Sequence, residues 1–116
     1  MNTDSVIELQ TFESLRESIG TDFIKVLVNE YLDEAPLLLS KLENALAQKD
    51  CDLFRRSAHS LKSTSYTFGA LQFGASAMEL EAMGREAKLD TAPEKLRSLI
   101  NDFEAVQIAL QELCNG

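Results

Sequence analysis

From Leu96 onward the chain repeats apolar residues in alternating steps of three and four: Leu96, Leu99, Phe103, Val106, Leu110 and Leu113. That spacing lines one face of an α-helix and makes a seam that packs at a shallow angle in an antiparallel bundle. Thr91-Ala-Pro-Glu94 just before it has the form of a capping box with proline in the first turn. Further upstream, Phe23, Leu27 and Tyr31 lie four apart and predict a helix that starts at Thr21 or Asp22. Pro36 predicts a kink or break near Ala35, after which the pattern resumes with Leu38, Leu39, Leu42, Ala45 and Leu46. Asp50 is a good N-cap for a helix from Cys51 to about Phe68, ended or bent by Gly69. Phe73, Ala77, Leu80 and Gly84 then mark a helix running toward Leu89, and Thr11 is placed to cap a short one that stops before Gly20. No run alternates with a period of two, and no repeat, low-complexity segment or linker is visible. The connections are short, so successive long helices are expected to be antiparallel neighbours. The pattern thus predicts an all-α fold: an antiparallel four-helix bundle with a short additional N-terminal helix, one domain over residues 1–116.

Charge narrows the partners. The chain has 11 basic and 19 acidic residues, a formal net charge of −8. Binding to a phosphate backbone needs clustered Lys and Arg, so nucleic acid is not an expected partner. The opening MNTDSVIELQ lacks the basic and apolar regions of a signal peptide, and the apolar runs are far too short to cross a membrane. Cys51 and Cys114 stand far apart without a C-x-x-C pattern, which fits reduced thiols in a cytoplasmic protein.

The chain has one histidine, His59. If Leu61 is the centre of the buried face of its helix, Phe54, Ala58, Ser65 and Phe68 share that side. His59 then lies about 160° away at 100° per residue. Around it stand Asp52, Arg55, Arg56, Lys62, Ser63 and Tyr66, by the helical i±3, i±4 and i±7 relations. The imidazole is therefore expected mid-helix on a polar face. A metal site is not expected, because no second histidine converges on it. A Ser-His or Cys-His nucleophile pair is poorly supported, since no orienting carboxylate lies at helical spacing and no loop offers an oxyanion hole. The basic setting points elsewhere: cations close to an imidazole favour its neutral, nucleophilic form and would stabilise a dianionic group attached to it.

Residues 58–70, A-H-S-L-K-S-T-S-Y-T-F-G-A, resemble the A-H-x-L-K-G-S-(x)n-G-A signature of histidine-containing phosphotransfer (HPt) domains. The resemblance continues through Leu80-Glu81 and Gly84-Arg85, and upstream through the Phe23–Tyr31 segment, Leu39, Leu42, Ala45 and Asp50. It implies that His59 is phosphorylated, taking a phosphoryl group from the aspartyl phosphate of one receiver domain and passing it to the aspartate of another. The partners would be the receivers of a hybrid histidine kinase and a response regulator in a multistep phosphorelay. The carrier would be a stand-alone monomer with no ATP-dependent kinase activity of its own, and no ATP-binding motif is visible. No cofactor is implied, since the magnesium for transfer would come with the receiver's carboxylates.

In such a transfer, charge spreads over the equatorial phosphoryl oxygens, so a bundle contributes positioning and cations. The resemblance assigns that work first to Lys62, one turn after His59, and then to Arg85 from the next helix. Arg55, Arg56, Ser63 and Tyr66 would meet the docked receiver, with the N-terminal helix as a further candidate surface, although core packing is the expected role of its Phe12 and Leu15. One position departs from the family: Ser63 stands where glycine usually follows the lysine, in the space beside the imidazole. The alternative is a helical adaptor that docks a receiver without being phosphorylated, but this gives no reason for histidine, lysine and small residues in that order.

Overall fold

A computed structural model of the chain describes residues 6–115, and among these are five helices and no strand. They are α1 (Leu9–Ile19), α2 (Thr21–Gln48), α3 (Cys51–Thr67), α4 (Leu71–Arg85) and α5 (Ala92–Asn115). The outermost ends of the expected 1–116 domain lie outside the described residues. α3 packs between α2 and α4, and α5 closes the ring by packing on both α2 and α4. α1 lies against α2 and α3. This is the four-helix bundle with an added N-terminal helix that the hydrophobic pattern predicts.

The helix ends follow local chemistry. The Asp50 carboxylate accepts a 3.0 Å hydrogen bond from the amide of Leu53 and caps α3. Gly69 ends the α3 corner with φ of 88°, a left-handed conformation that favours glycine. Its backbone also touches the segment before α1. The Glu8 amide donates to the Gly69 carbonyl at 2.8 Å, and a Cβ on Gly69 would sit 2.8 Å from the Glu8 carbonyl oxygen.

Four local expectations change. α1 begins at Leu9, not after Thr11, because Glu8 is the cap: its carboxylate accepts from the amides of Gln10 and Thr11 at 3.0 and 2.9 Å. α2 is one helix of 28 residues and is not broken at Pro36. A mid-helix proline costs about 3 kcal/mol, whereas burying one leucine contributes about 1.5–3 kcal/mol. Pro36 itself is exposed, while Ala35, Leu38, Leu39 and Leu42 are all buried around it, so packing decides the outcome. Of the predicted Phe23, Leu27 and Tyr31, Tyr31 is buried and Leu27 half-buried, but the buried face of α2 starts from Ile24 and Val28, and Phe23 is left 52% exposed. Both sets have helical spacing and join at Tyr31 and Ala35, and packing in the bundle buries Ile24 and Val28 ahead of them. Finally, α4 stops at Arg85, short of Leu89, where Ala87 takes φ of 56°.

The core joins all four bundle helices. Tyr31 of α2 stacks at a tilt on Phe68 at 5.3 Å and meets Phe103 of α5 at 6.1 Å; Phe73 of α4 meets Phe103 at 5.7 Å. The Tyr31 hydroxyl and the buried Ser65 hydroxyl share a 2.7 Å hydrogen bond between α2 and α3. Burial pushes the phenol up to about 12, and the Ser65 bond offsets only part of that.

Candidate functional site

α3 buries Phe54, Ala58, Leu61 and Ser65, as its spacing predicts, and so turns His59 outward. The imidazole side chain is 57% exposed. It is not surrounded only by cations. Its Nδ1 lies 2.6 Å from Oε2 of Glu81, a carboxylate of α4 whose side chain is 8% exposed. The other oxygen of that carboxylate, Oε1, lies 2.7 Å from Nζ of Lys62. One buried carboxylate thus bridges the two residues that the sequence singles out.

The close approach of α3 and α4 makes this reach possible. Gly74, Ala77 and Gly84 share Glu81's buried side of α4. A Cβ on Gly84 would stand 2.8 Å from the Arg55 amide nitrogen, and one on Gly74 would stand 2.6 Å from the Tyr66 ring. The absence of side chains at both ends lets the two backbones come together, and Glu81 meets His59 between them.

The protonation follows from the surroundings. Burial raises the Glu81 carboxyl, but hydrogen bonds and charge from Lys62 and His59 more than offset this and hold it below its ordinary value. An ionised carboxylate can only accept, so Nδ1 carries the hydrogen and donates it. In the neutral ring the lone pair is then on Nε2, which has no partner among the described residues. The arrangement offers a nucleophilic nitrogen to a large incoming group and answers positive charge on the ring with a fixed carboxylate.

The other predicted residues fall into two groups. Arg55 and Arg56 are not aimed at the imidazole: both bind Asp52, at 2.9 and 2.8 Å, one turn or two before His59 on α3. They hold Asp52 below the usual carboxylate range and leave a modest net positive charge at that end of the face. Ser63 is exposed one turn after His59. Tyr66 is half-buried, with its ring laid over Gly74. Arg85 is exposed at the end of α4, one turn beyond Glu81, with no carboxylate partner among the described residues. Phe12 is fully buried and belongs to the core, while Leu15 packs against it half-buried. Among the described residues, no three His, Cys, Asp or Glu side chains converge as metal ligands.

Glu81 is the residue of the candidate site that sequence reasoning missed. The expectation that no carboxylate orients His59 holds along α3 but not across to α4. The signal was present: a glutamate on the apolar stripe formed by Phe73, Ala77, Leu80 and Gly84 is a buried charge that needs partners.

Residues 26–116 match the Hpt domain family. Phosphorelay protein LuxU of Vibrio harveyi is 33% identical over 70 residues, 60% of this chain and 60% of that relative, so the match spans three fifths of the relative's length. The crystal structure of histidine-containing phosphotransfer protein B (HptB) from Pseudomonas aeruginosa PAO1 superposes with a TM-score of 0.89 at 26% identity, covering 95% of each chain.

Proposed function

The chain belongs to the Hpt domain family, and we propose that it carries a phosphoryl group on His59 between receiver-domain aspartates in a multistep phosphorelay. The observation that carries this reading is the bond from Nδ1 of an exposed imidazole to a buried, ionised Glu81. It fixes the hydrogen on one ring nitrogen and leaves the other as the nucleophile.

The step balances simply. The Nε2 lone pair attacks phosphorus as the bond from phosphorus to the aspartyl oxygen breaks, and the receiver's aspartate leaves as a carboxylate. The phosphorylated ring keeps its Nδ1 hydrogen and gains positive charge, which the Glu81 carboxylate stabilises at 2.6 Å. In the reverse sense the aspartate of the second receiver attacks and His59 leaves neutral. Lys62 holds Glu81 with one of its three ammonium donors and has two left for the oxygens of the phosphoryl group. On this reading Arg85 and the Arg55–Arg56 pair meet the partner at the edges of the face that carries the imidazole. Magnesium enters with the receiver, not with the carrier.

The partners on this reading are the receivers of a hybrid histidine kinase and a response regulator, met by a monomer that has no ATP-dependent kinase activity of its own. No helix among the described residues is long and apolar enough to cross a membrane. Cys51 and Cys114 are free thiols, in keeping with a cytoplasmic relay.

The test is direct. Incubation with a phosphorylated receiver is expected to put an acid-labile, alkali-stable label on the native protein and none on His59→Gln. Stable binding of the receiver without label would favour an adaptor.

A further inference from the structure

Between α2 and α3 lies a groove of about 210 Å³. Leu27, Tyr31 and Phe68 make its apolar floor. Glu30 and Glu34 stand on its α2 rim, both exposed and without a cationic partner among the described residues. Thr64 and Thr67 stand on its α3 rim. Their hydroxyl hydrogens are already used: Thr64 donates to the Ser60 carbonyl at 2.9 Å, and Thr67 donates to the Ser63 carbonyl at 3.0 Å. Both rims therefore present acceptors, and one of them is anionic. A long side chain with an apolar stem and a cationic, donor-only head fits this lining, which describes lysine or arginine.

The groove lies next to the phosphotransfer face. Thr64 and Thr67 follow His59 by five and eight residues on α3, roughly 8 to 12 Å along the axis and about 140° and 80° round it, so the exposed face of α3 runs from the imidazole to the groove. An interface of ordinary size, about 800 Å² on each partner, is wide enough to span the exposed face of α3 from His59 to the groove when it is centred between them. The face is also polar from end to end. Arg55 and Arg56, shared with the single carboxylate of Asp52, stand before His59, and the unpaired Glu30 and Glu34 stand beyond it.

We propose that this groove receives a lysine or arginine side chain of the docked receiver domain, so that the carrier accepts receivers with a cation at that position and in one orientation. The proposal rests on the phosphotransfer reading and adds to it a rule for choosing partners. The cation's stem would cover Leu27 and Phe68, with its head between the two glutamates, while the receiver's acidic centre faces His59 and the arginines.

The experiment uses the full chain with the receivers of its source organism, taking the receiver that labels His59 fastest. Glu30→Lys/Glu34→Lys is expected to raise the KM for that phosphorylated receiver about tenfold, by placing like charges together, with the maximal transfer rate unchanged. Labelling by phosphoramidate, which gives its phosphoryl group to the imidazole and releases ammonia, is expected to be the same in both proteins. A receiver whose groove-facing lysine or arginine is changed to glutamate is expected to recover on the reversed carrier. Label with an unchanged KM in the double variant would overturn the groove proposal alone. A variant that changes the oligomeric state would assign the groove to a second copy of the chain and overturn it too. If no receiver labels the native protein, both readings fall.

Discussion

Glu81 meets His59 across two helices: its Oε2 lies 2.6 Å from Nδ1 of a residue 22 positions earlier in the chain. The same carboxylate holds Lys62 through its second oxygen at 2.7 Å. The reactive ring is therefore set by a residue of α4, and α3 alone does not define the site.

Removing that carboxylate tests its role in orientation. Glu81→Ala frees Nδ1 and releases Lys62, and losing a hydrogen bond to a charged group costs about 1.5–3 kcal/mol, roughly 10- to 100-fold in the transfer rate. Nitrogen-15 NMR of the imidazole is expected to show the native ring with hydrogen on Nδ1 and the variant as a mixture of tautomers. A slower variant with an unchanged tautomer ratio would contradict the positioning role.

The same group links stability to acid. A carboxyl held below its ordinary value of 4.5 binds fewer protons in the folded state than in the unfolded state. Its contribution is complete above that value and is lost as pH falls through the lower folded value. Urea unfolding at stepped pH is expected to show native stability declining below about 4.5, with a shallower decline in Glu81→Gln. Asp52 shifts in the same direction but is exposed, so Asp52→Asn is expected to change the slope little.

Two glycines of α4 separate a hard contact from a soft one. The Cβ of Gly84→Ala meets the backbone of Arg55 at 2.8 Å, and backbone cannot move without parting the helices. A loss of about 1–3 kcal/mol is expected, with slower transfer as Glu81 is drawn away from the ring. The Cβ of Gly74→Ala meets only the Tyr66 ring, which can swing outward, and a gain in helix propensity of about 1 kcal/mol offsets the disturbance. Urea midpoints are expected to fall clearly for the first variant and to change little for the second.

Ser63 tests the space beside the imidazole. It is exposed one helical turn after His59, where a receiver would approach on the proposed function. Ser63→Gly is expected to keep the native rate and Ser63→Gln to slow transfer from a receiver, with labelling by phosphoramidate unaffected in both. Equal receiver rates for Ser63→Gln and the native protein would contradict a steric role.

Much of the architecture was legible because long amphipathic helices declare their own period. The Leu96–Leu110 seam, the Asp50 cap and the outward aim of His59 all follow from intervals within single helices. What escaped depends on packing between helices. On α2, Phe23 and Ile24 begin equally good stripes, and only the bundle selects the second. Pro36 reads as a break until the leucines beyond it are seen to bury their side chains. Arg55 and Arg56 read as part of a basic setting on the histidine face, and their spacing did not show that Asp52 on the same face binds both. Glu81 stood on an apolar stripe, which announced a buried charge but not its partner; the register between α3 and α4 supplied that.

An imidazole anchored by one nitrogen has a single open edge. On the proposed function, whatever delivers a phosphoryl group to His59 must depart before its recipient arrives, because both would need that same edge. Donor and recipient would then compete for one carrier, and an excess of either would slow the other's access to the ring.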